Sequence, residues 1–183
     1  WPGNIRVAVN VSPAQFAHAN FITSVTQALS QSGIAPERLE IELTESIFVN
    51  DDETTDQNFA ALKRLGVRLA LDDFGTGYSS LGYLKKAPFD KIKIDQSFVR
   101  TQTRTNAQWS VVKAMLDLAH ALQLRVVVEG LETEFQREEL TAFGCEYGQG
   151  YLFSKPLTEE DAAALIVAPP EGPFRQMEKL IGG

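Results

Sequence analysis

The chain has 183 residues, 44% of them hydrophobic, and a formal net charge of −7 at pH 7. That is enough apolar material for one domain with a sizeable core, and the charge excludes a general DNA or RNA binder, which needs a basic face. A small phosphate ligand stays compatible, because divalent cations held by carboxylates are locally positive.

No apolar stretch reaches the length of a membrane span, and no basic-then-apolar leader opens the chain. The single Cys145 rules out an internal disulfide and suits a reducing cytoplasm. Because the chain begins at Trp1 rather than Met, it is expected to come from a longer polypeptide whose other domains set any membrane tether.

Residues 4–11 alternate Val7, Val9 and Val11 against Ala8 and Asn10, the pattern of a strand. Ser12 and Pro13 then open a helix as N-cap and first helical residue. It carries Phe16, Phe21, Ile22, Val25 and Leu29 and stops near Gly33. Residues 39–46 read as a second strand, residues 51–65 as a helix ending at Gly66, and residues 67–71 as a third strand that runs into Asp72 and Asp73. The chain is expected to turn on Phe74, Gly75, Thr76 and Gly77.

Residues 91–95 alternate Ile92 and Ile94 against Lys91 and Lys93, a fourth strand. Residues 106–122 place Val111, Val112, Met115, Leu118, Ala119 and Leu122 at helical spacing. A fifth strand covers residues 124–130, and a helix capped by Thr133 covers 133–143. A sixth strand is expected within 148–156, a closing helix from Thr158, and an extended tail over 168–183 after a domain of residues 1–167.

Strands alternating with helices imply parallel strands and right-handed crossovers. The polar residues then discriminate between an open sheet and a closed barrel. Asn10, Glu42, Asp72 with Asp73, Lys93 and Glu129 end five strands, and Gln149 starts the sixth. By parity Asn10 shares a face with Ala8, Glu42 with Glu40, Asp72 with Ala70, Lys93 with Lys91 and Glu129 with Val127. The opposite faces are Val, Ile and Leu, as where strands meet an outer helical layer. An open sheet gathers ligands at one crevice, whereas a barrel gathers them at the C-terminal rim of its strands. The distribution therefore points to an α/β fold of the (β/α)₈ barrel type.

These oxygen-bearing side chains, with no His or Cys among them, describe a hard-cation site for Mg²⁺ or Mn²⁺ rather than Zn²⁺. His18 and His120 fall in helical patterns, away from this set. Asn10 adds an uncharged carbonyl, and Asp72 with Asp73 would serve two ions about 3.5–4 Å apart, as in two-metal phosphoryl transfer. Lys93, cationic beside such a cluster, suits water orientation or a phosphate oxygen better than base duty. Singly, each residue has a plain alternative. Lys91 and Lys93 read as solvated edge lysines, Glu129 with Gly130 as a turn, and Glu42 or Glu45 as helix caps. Together, at five strand ends with one parity, they read as a site.

Six stretches, VNVSPAQF (9–16), ELTES (42–46), LDDFGTGYSSL (71–81), KIDQSFV (93–99), VVVEGLET (126–133) and GQGYLFSKP (148–156), are similar to those of the EAL-type cyclic-di-GMP phosphodiesterases, in the same order. The resemblance implies a modified (β/α)₈ barrel that hydrolyses cyclic di-GMP to linear pGpG in bacterial signalling. By motif position it implies Asn10, Glu42 and Asp72 as ligands of a first metal. Asp72 would bridge to a second, with Asp73 and Glu129 nearby. Lys93 would contact the attacking water, Gln149 and Pro156 would bind substrate, and Glu45 would pin the loop 74–80. It further implies homodimers and additional sensory or signalling domains.

The family is named for a Glu-x-Leu motif on an early strand, and no such strand precedes Trp1 here. With six strands where such a barrel has eight in about 250 residues, the first two strands are expected to be missing. The chain alone is then expected to be inactive or weak and prone to associate through bare strand edges. The alternative readings are a catalytically silent receptor for the same dinucleotide and a different metal-dependent barrel hydrolase.

Overall fold

The computed structural model describes residues 5–49, 53–77, 81–100 and 108–167. The expected tail over 168–183 lies outside them. Arg6–Lys93 form one compact unit, and the described residues from Ile94 onward, with Ile5, form another.

In the first unit, β1 (Val7–Asn10), β2 (Leu39–Thr44), β3 (Arg68–Phe74) and the start of β4 (Lys91–Ile94) are neighbours in chain order. The pairs β1/β2 and β2/β3 are parallel. Helices α1 (Pro13–Phe16) and α2 (Phe21–Ser32) lead from β1 to β2, α3 (Glu53–Leu65) from β2 to β3, and α4 (Leu81–Lys86) from β3 to β4. Four-residue spacing puts Val25 and Leu29 of α2 on one buried stripe, while α3 buries Thr55, Asn58, Phe59 and Leu62. The core between them is aromatic: Phe59 lies 4.8 Å from Phe16 and 5.6 Å from Phe89, ring centre to ring centre.

The single helix expected from Ser12 to Gly33 is two. Ser12 does cap it, through a reciprocal capping box with Gln15, and Gly33 ends it at φ 67°. Between them the chain breaks after Phe16, so that the Phe16 and Phe21 rings meet at 5.2 Å. Residues five apart on an unbroken helix do not face each other. The break exposes the Phe16 carbonyl at a buried helix end, and Asn58 Nδ2 donates to it at 2.7 Å. The short helix α4 was not expected from the sequence, since six residues show too little periodicity to register.

In the second unit the end of β4 is followed by β5 (Arg125–Val128) and β6 (Tyr147–Gly148), with β5 and β6 parallel. They are linked by α5 (Gln108–Ala121) and α6 (Glu134–Ala142), and α7 (Glu159–Val167) closes the described chain. The buried stripe of α5 is Trp109, Val112, Leu116 and Ala119. Val111, one of the apolar residues at helical spacing, is 45% exposed. Trp109 packs edge-on to Phe135 and Phe143 of the α6 region, at 6.1 and 5.9 Å. Thr133 caps α6 with a second capping box, and Gln136, buried there, donates to the Val99 carbonyl at 2.9 Å. Burial pushes the Cys145 thiol up to about 11, so it stays protonated at neutral pH.

The sixth strand is shorter than expected. Only Tyr147–Gly148 pair, and residues 151–158 form turns and irregular chain. Parallel strands that follow chain order, without the reversal of a doubly wound sheet, are the (β/α)-barrel arrangement. No helix among the described residues is long and apolar enough to cross a membrane.

The Asn58 bond is the point at which one substitution should most directly loosen this packing. Asn58→Ala should cost about 1–3 kcal/mol, because the buried Phe16 carbonyl loses its donor. Urea unfolding followed by circular dichroism measures it, and a loss well under that range would mean water replaces the amide.

Candidate functional site

In the first unit the parallel register builds a polar layer on one face of the sheet. Asn10 is the register partner of Glu42, Glu42 of Ala70, and Thr44 of Asp72. Cα partners in a parallel pair carry their side chains on the same face, so Asn10, Glu42 and Asp72 rise together toward the C-terminal strand ends. Lys93 of β4 completes the layer. Its Nζ lies 2.8 Å from Glu42 Oε2 and 3.0 Å from Asp72 Oδ1. All three side chains are buried, with Glu42 7%, Asp72 9% and Lys93 6% exposed. The reading of Lys93 as a solvated edge lysine is thereby excluded. Asn10 is exposed, in a strand whose residues are all exposed.

A buried carboxylate is costly unless it is paired and hydrogen-bonded. One ammonium shared between Glu42 and Asp72 satisfies both and still leaves one surplus negative charge. The donor set consists of oxygens alone, from carboxylates and the Asn10 amide. Both the chemistry and the surplus charge fit a hard divalent cation.

The strand β3 does not end at Asp72 and Asp73 but continues through Phe74. Alternation along a strand would send these neighbours to opposite faces. Asp73 instead has φ 53°, a left-handed conformation that non-glycine residues other than Asn and Asp seldom adopt. This breaks the strand alternation between these two adjacent carboxylates. The turn is held locally: Asp73 N–H donates to Asp72 Oδ1 at 3.1 Å, and both Thr76 N–H and its hydroxyl donate to the Asp73 carbonyl.

Glu45 follows β2 rather than lying within it, in a one-turn 3₁₀ helix of Glu45–Phe48. It is 4% exposed, and its Oε1 accepts from Gly75 N–H at 2.7 Å. At Gly77 an added Cβ would fall 2.6 Å from Glu45 Oε2, so a larger residue there would push the Glu45 carboxylate out of its place. Tyr78, Ser79 and Ser80, the rest of the expected loop, lie outside the described residues.

In the second unit Glu129 sits just past β5, its N–H donating to the Ile94 carbonyl at 3.0 Å. Gly130 has φ 72°, and a Cβ there would lie 2.3 Å from Gln96 Cβ. Gln149 follows β6 instead of starting it, bonded through its N–H to the Val128 carbonyl at 2.9 Å. Its placement thus matches the strand-end pattern of the other residues. Glu129 and Gln149 line a cavity of about 390 Å³ together with Gln96, Arg100, Glu132 and Tyr151. Arg100 and Tyr151 were not singled out from sequence, because neither terminates a strand. Pro156 is exposed and lies outside this lining.

A family model described as "EAL domain" matches residues 1–156. The bifunctional diguanylate cyclase/cyclic di-GMP phosphodiesterase MucR of Pseudomonas aeruginosa is 40% identical over 161 residues, 88% of this chain and 24% of that protein. Its phosphodiesterase in complex with c-di-GMP superposes with a TM-score of 0.80 at 40% identity, over 86% of this chain and 70% of that one. The BlrP1 structure from Klebsiella pneumoniae, with manganese and cyclic di-GMP, gives a TM-score of 0.77 at 32% identity, over 84% of this chain and 40% of that one. The chain spans between 19% and 24% of the length of the curated relatives it matches.

The Lys93 bridge makes a direct prediction. Lys93→Met leaves Glu42 and Asp72 as neighbouring buried charges and should destabilise the metal-free protein by about 3–5 kcal/mol. Added Mn²⁺ should raise the melting temperature of this variant more than that of wild type, because the cation then supplies the missing counter-charge. Equal shifts in the two proteins, by differential scanning fluorimetry, would mean that these carboxylates do not take up the ion.

Proposed function

Since the chain belongs to the EAL domain family, we propose that the full-length protein hydrolyses cyclic di-GMP to linear pGpG in a reaction dependent on Mg²⁺ or Mn²⁺, with this chain by itself inactive or weak. The observation that carries this reading is the single lysine held between Glu42 and Asp72 at the ends of adjacent parallel strands. MucR and BlrP1 support the substrate class, and BlrP1 with manganese supports the kind of ion.

In this reading Asn10, Glu42 and Asp72 would hold one ion, and Asp72 with Asp73 would hold a second. Glu129 is assigned a metal-binding and catalytic role by its motif position. Gln149 is assigned to the substrate, and so is Pro156 on the motif alone. When bound, the ions supply a nucleophile at neutral pH and stabilise the charge that builds on the phosphate.

The remaining work falls to the chain. Lys93 as an ammonium has three donors and no lone pair, so it orients the attacking water and cannot act as its base. Attack at phosphorus forms one P–O bond and breaks the bond to the 3′ oxygen, opening the ring to a linear dinucleotide with a 5′-phosphate. Glu45 keeps the loop that follows Asp73 in place, which holds the Asp73 backbone in its left-handed turn. We further assign the protein to the cytoplasm, as a homodimer acting with other signalling domains. The free Cys145 and the absence of a membrane-crossing helix among the described residues are compatible with this.

A silent receptor for the same dinucleotide makes the competing case, and Asp73→Asn separates the two. Asn tolerates the left-handed turn as Asp does, so the fold should hold. In the full-length protein, turnover of cyclic di-GMP with Mn²⁺, followed by chromatography of pGpG, should fall by about 10–100-fold. Affinity for the dinucleotide, by calorimetry, should change far less. A full-length protein that binds cyclic di-GMP yet forms no pGpG would instead establish the receptor.

A further inference from the structure

Below the Lys93 layer lies a second ion pair that the proposed chemistry does not use. Two residues back along β2 and β4, Lys91 Nζ donates to Glu40 Oε1 at 2.5 Å. Glu40 is 3% exposed, and the Lys91 side chain is 18% exposed. The two-residue period of a strand puts Glu40 on the face of Glu42, and Lys91 on that of Lys93. Another cation at this level is Arg68, the register partner of Glu40, whose Nε donates to the Glu37 carbonyl.

We propose that the Glu40–Lys91 pair is a positioning device: by neutralising Glu40 it reserves Lys93 for Glu42 and Asp72, and so sets how tightly those carboxylates hold a divalent cation. This rests on the metal-binding reading of Glu42 and Asp72 given above.

The physical basis is distance and charge. Residues two apart on a strand are separated by roughly 6.5–7 Å. A lysine ammonium rides on a flexible four-carbon stem and can swing between acceptors that far apart. An unneutralised Glu40 would therefore compete with Glu42 and Asp72 for the Lys93 ammonium. It would also add a full negative charge beneath the site, in surroundings that screen poorly. Lys91 removes both effects with one short, charge-assisted bond. An apolar pair of similar volume would fill this layer with no loss of stability, so what the ion pair contributes distinctively is its effect on the charges above it.

The test is Mn²⁺ titration calorimetry on the wild-type protein, Lys91→Met, Glu40→Gln and the double variant, with melting curves to verify folding. Lys91→Met leaves an extra carboxylate and should tighten Mn²⁺ binding by roughly tenfold. Its cyclic di-GMP turnover should fall, because Lys93 is drawn downward. Glu40→Gln leaves an extra ammonium and should weaken Mn²⁺ binding by a similar factor. The double variant restores neutrality and should return to within about threefold of wild type.

A pair with only a structural role would lower the melting temperature of both single variants and leave Mn²⁺ affinity unmoved, which overturns the inference. Shifts of the same sign in the two single variants, or a double variant that fails to recover, do so as well. Should Lys91→Met not fold, weakened binding in Glu40→Gln with recovery in the double variant supports the inference by itself. A wild-type protein that takes up no Mn²⁺ overturns this inference and the phosphodiesterase reading together. Uptake by wild type with unaltered single variants overturns this inference alone.

Discussion

One ammonium between two buried carboxylates is the constraint on which this structure turns. Glu42 and Asp72 lie at the ends of adjacent parallel strands and are shielded from water. Without a counter-charge, the two would repel each other in surroundings that screen poorly. Lys93 supplies that charge from β4, and its two contacts of 2.8 and 3.0 Å fix how far apart the carboxylates stand. For the proposed metal site this matters, because the geometry of the ligands has to exist before the ion arrives.

The backbone contributes as much as the side chains. A regular β3 would alternate Asp72 and Asp73 across the sheet, and the left-handed turn at Asp73 prevents it. Such a conformation costs on the order of 1–3 kcal/mol and persists only where its surroundings over-determine it. Here they do: the Thr76 hydroxyl and amide hold the Asp73 carbonyl, and the Glu45 carboxylate holds Gly75 N–H. The strain sits at the residue with a proposed metal role, and residues with no such role sustain it.

Much of this was legible in the chain. Parity alone placed Glu42, Asp72 and Lys93 on one face, since a strand has a period of two whatever it packs against. The caps Ser12 and Thr133 were readable because a capping box is written within four residues. The break after Phe16 was not, since it serves contacts with Phe59, more than forty residues on. Nor was the early end of β6, because a strand's length depends on its neighbour, and the register with β5 runs through Tyr147 and Gly148. The same limit applied to Val111, where helical spacing admitted two stripes and packing selected the one through Leu116.

By itself, then, the sequence determined the alternation of strands and helices, the face on which the carboxylates and lysines lie, and the chemistry their oxygens suit. These follow from periodicity and side-chain type, which are local. Tertiary structure alone decided that Lys93 spans Glu42 and Asp72, that Lys91 is committed to Glu40, and that Glu45 reaches the loop beyond Asp73. Each of those pairings joins residues far apart in the chain. Which acceptor an ammonium or amide reaches is set by strand register, and register is established only when the strands pair.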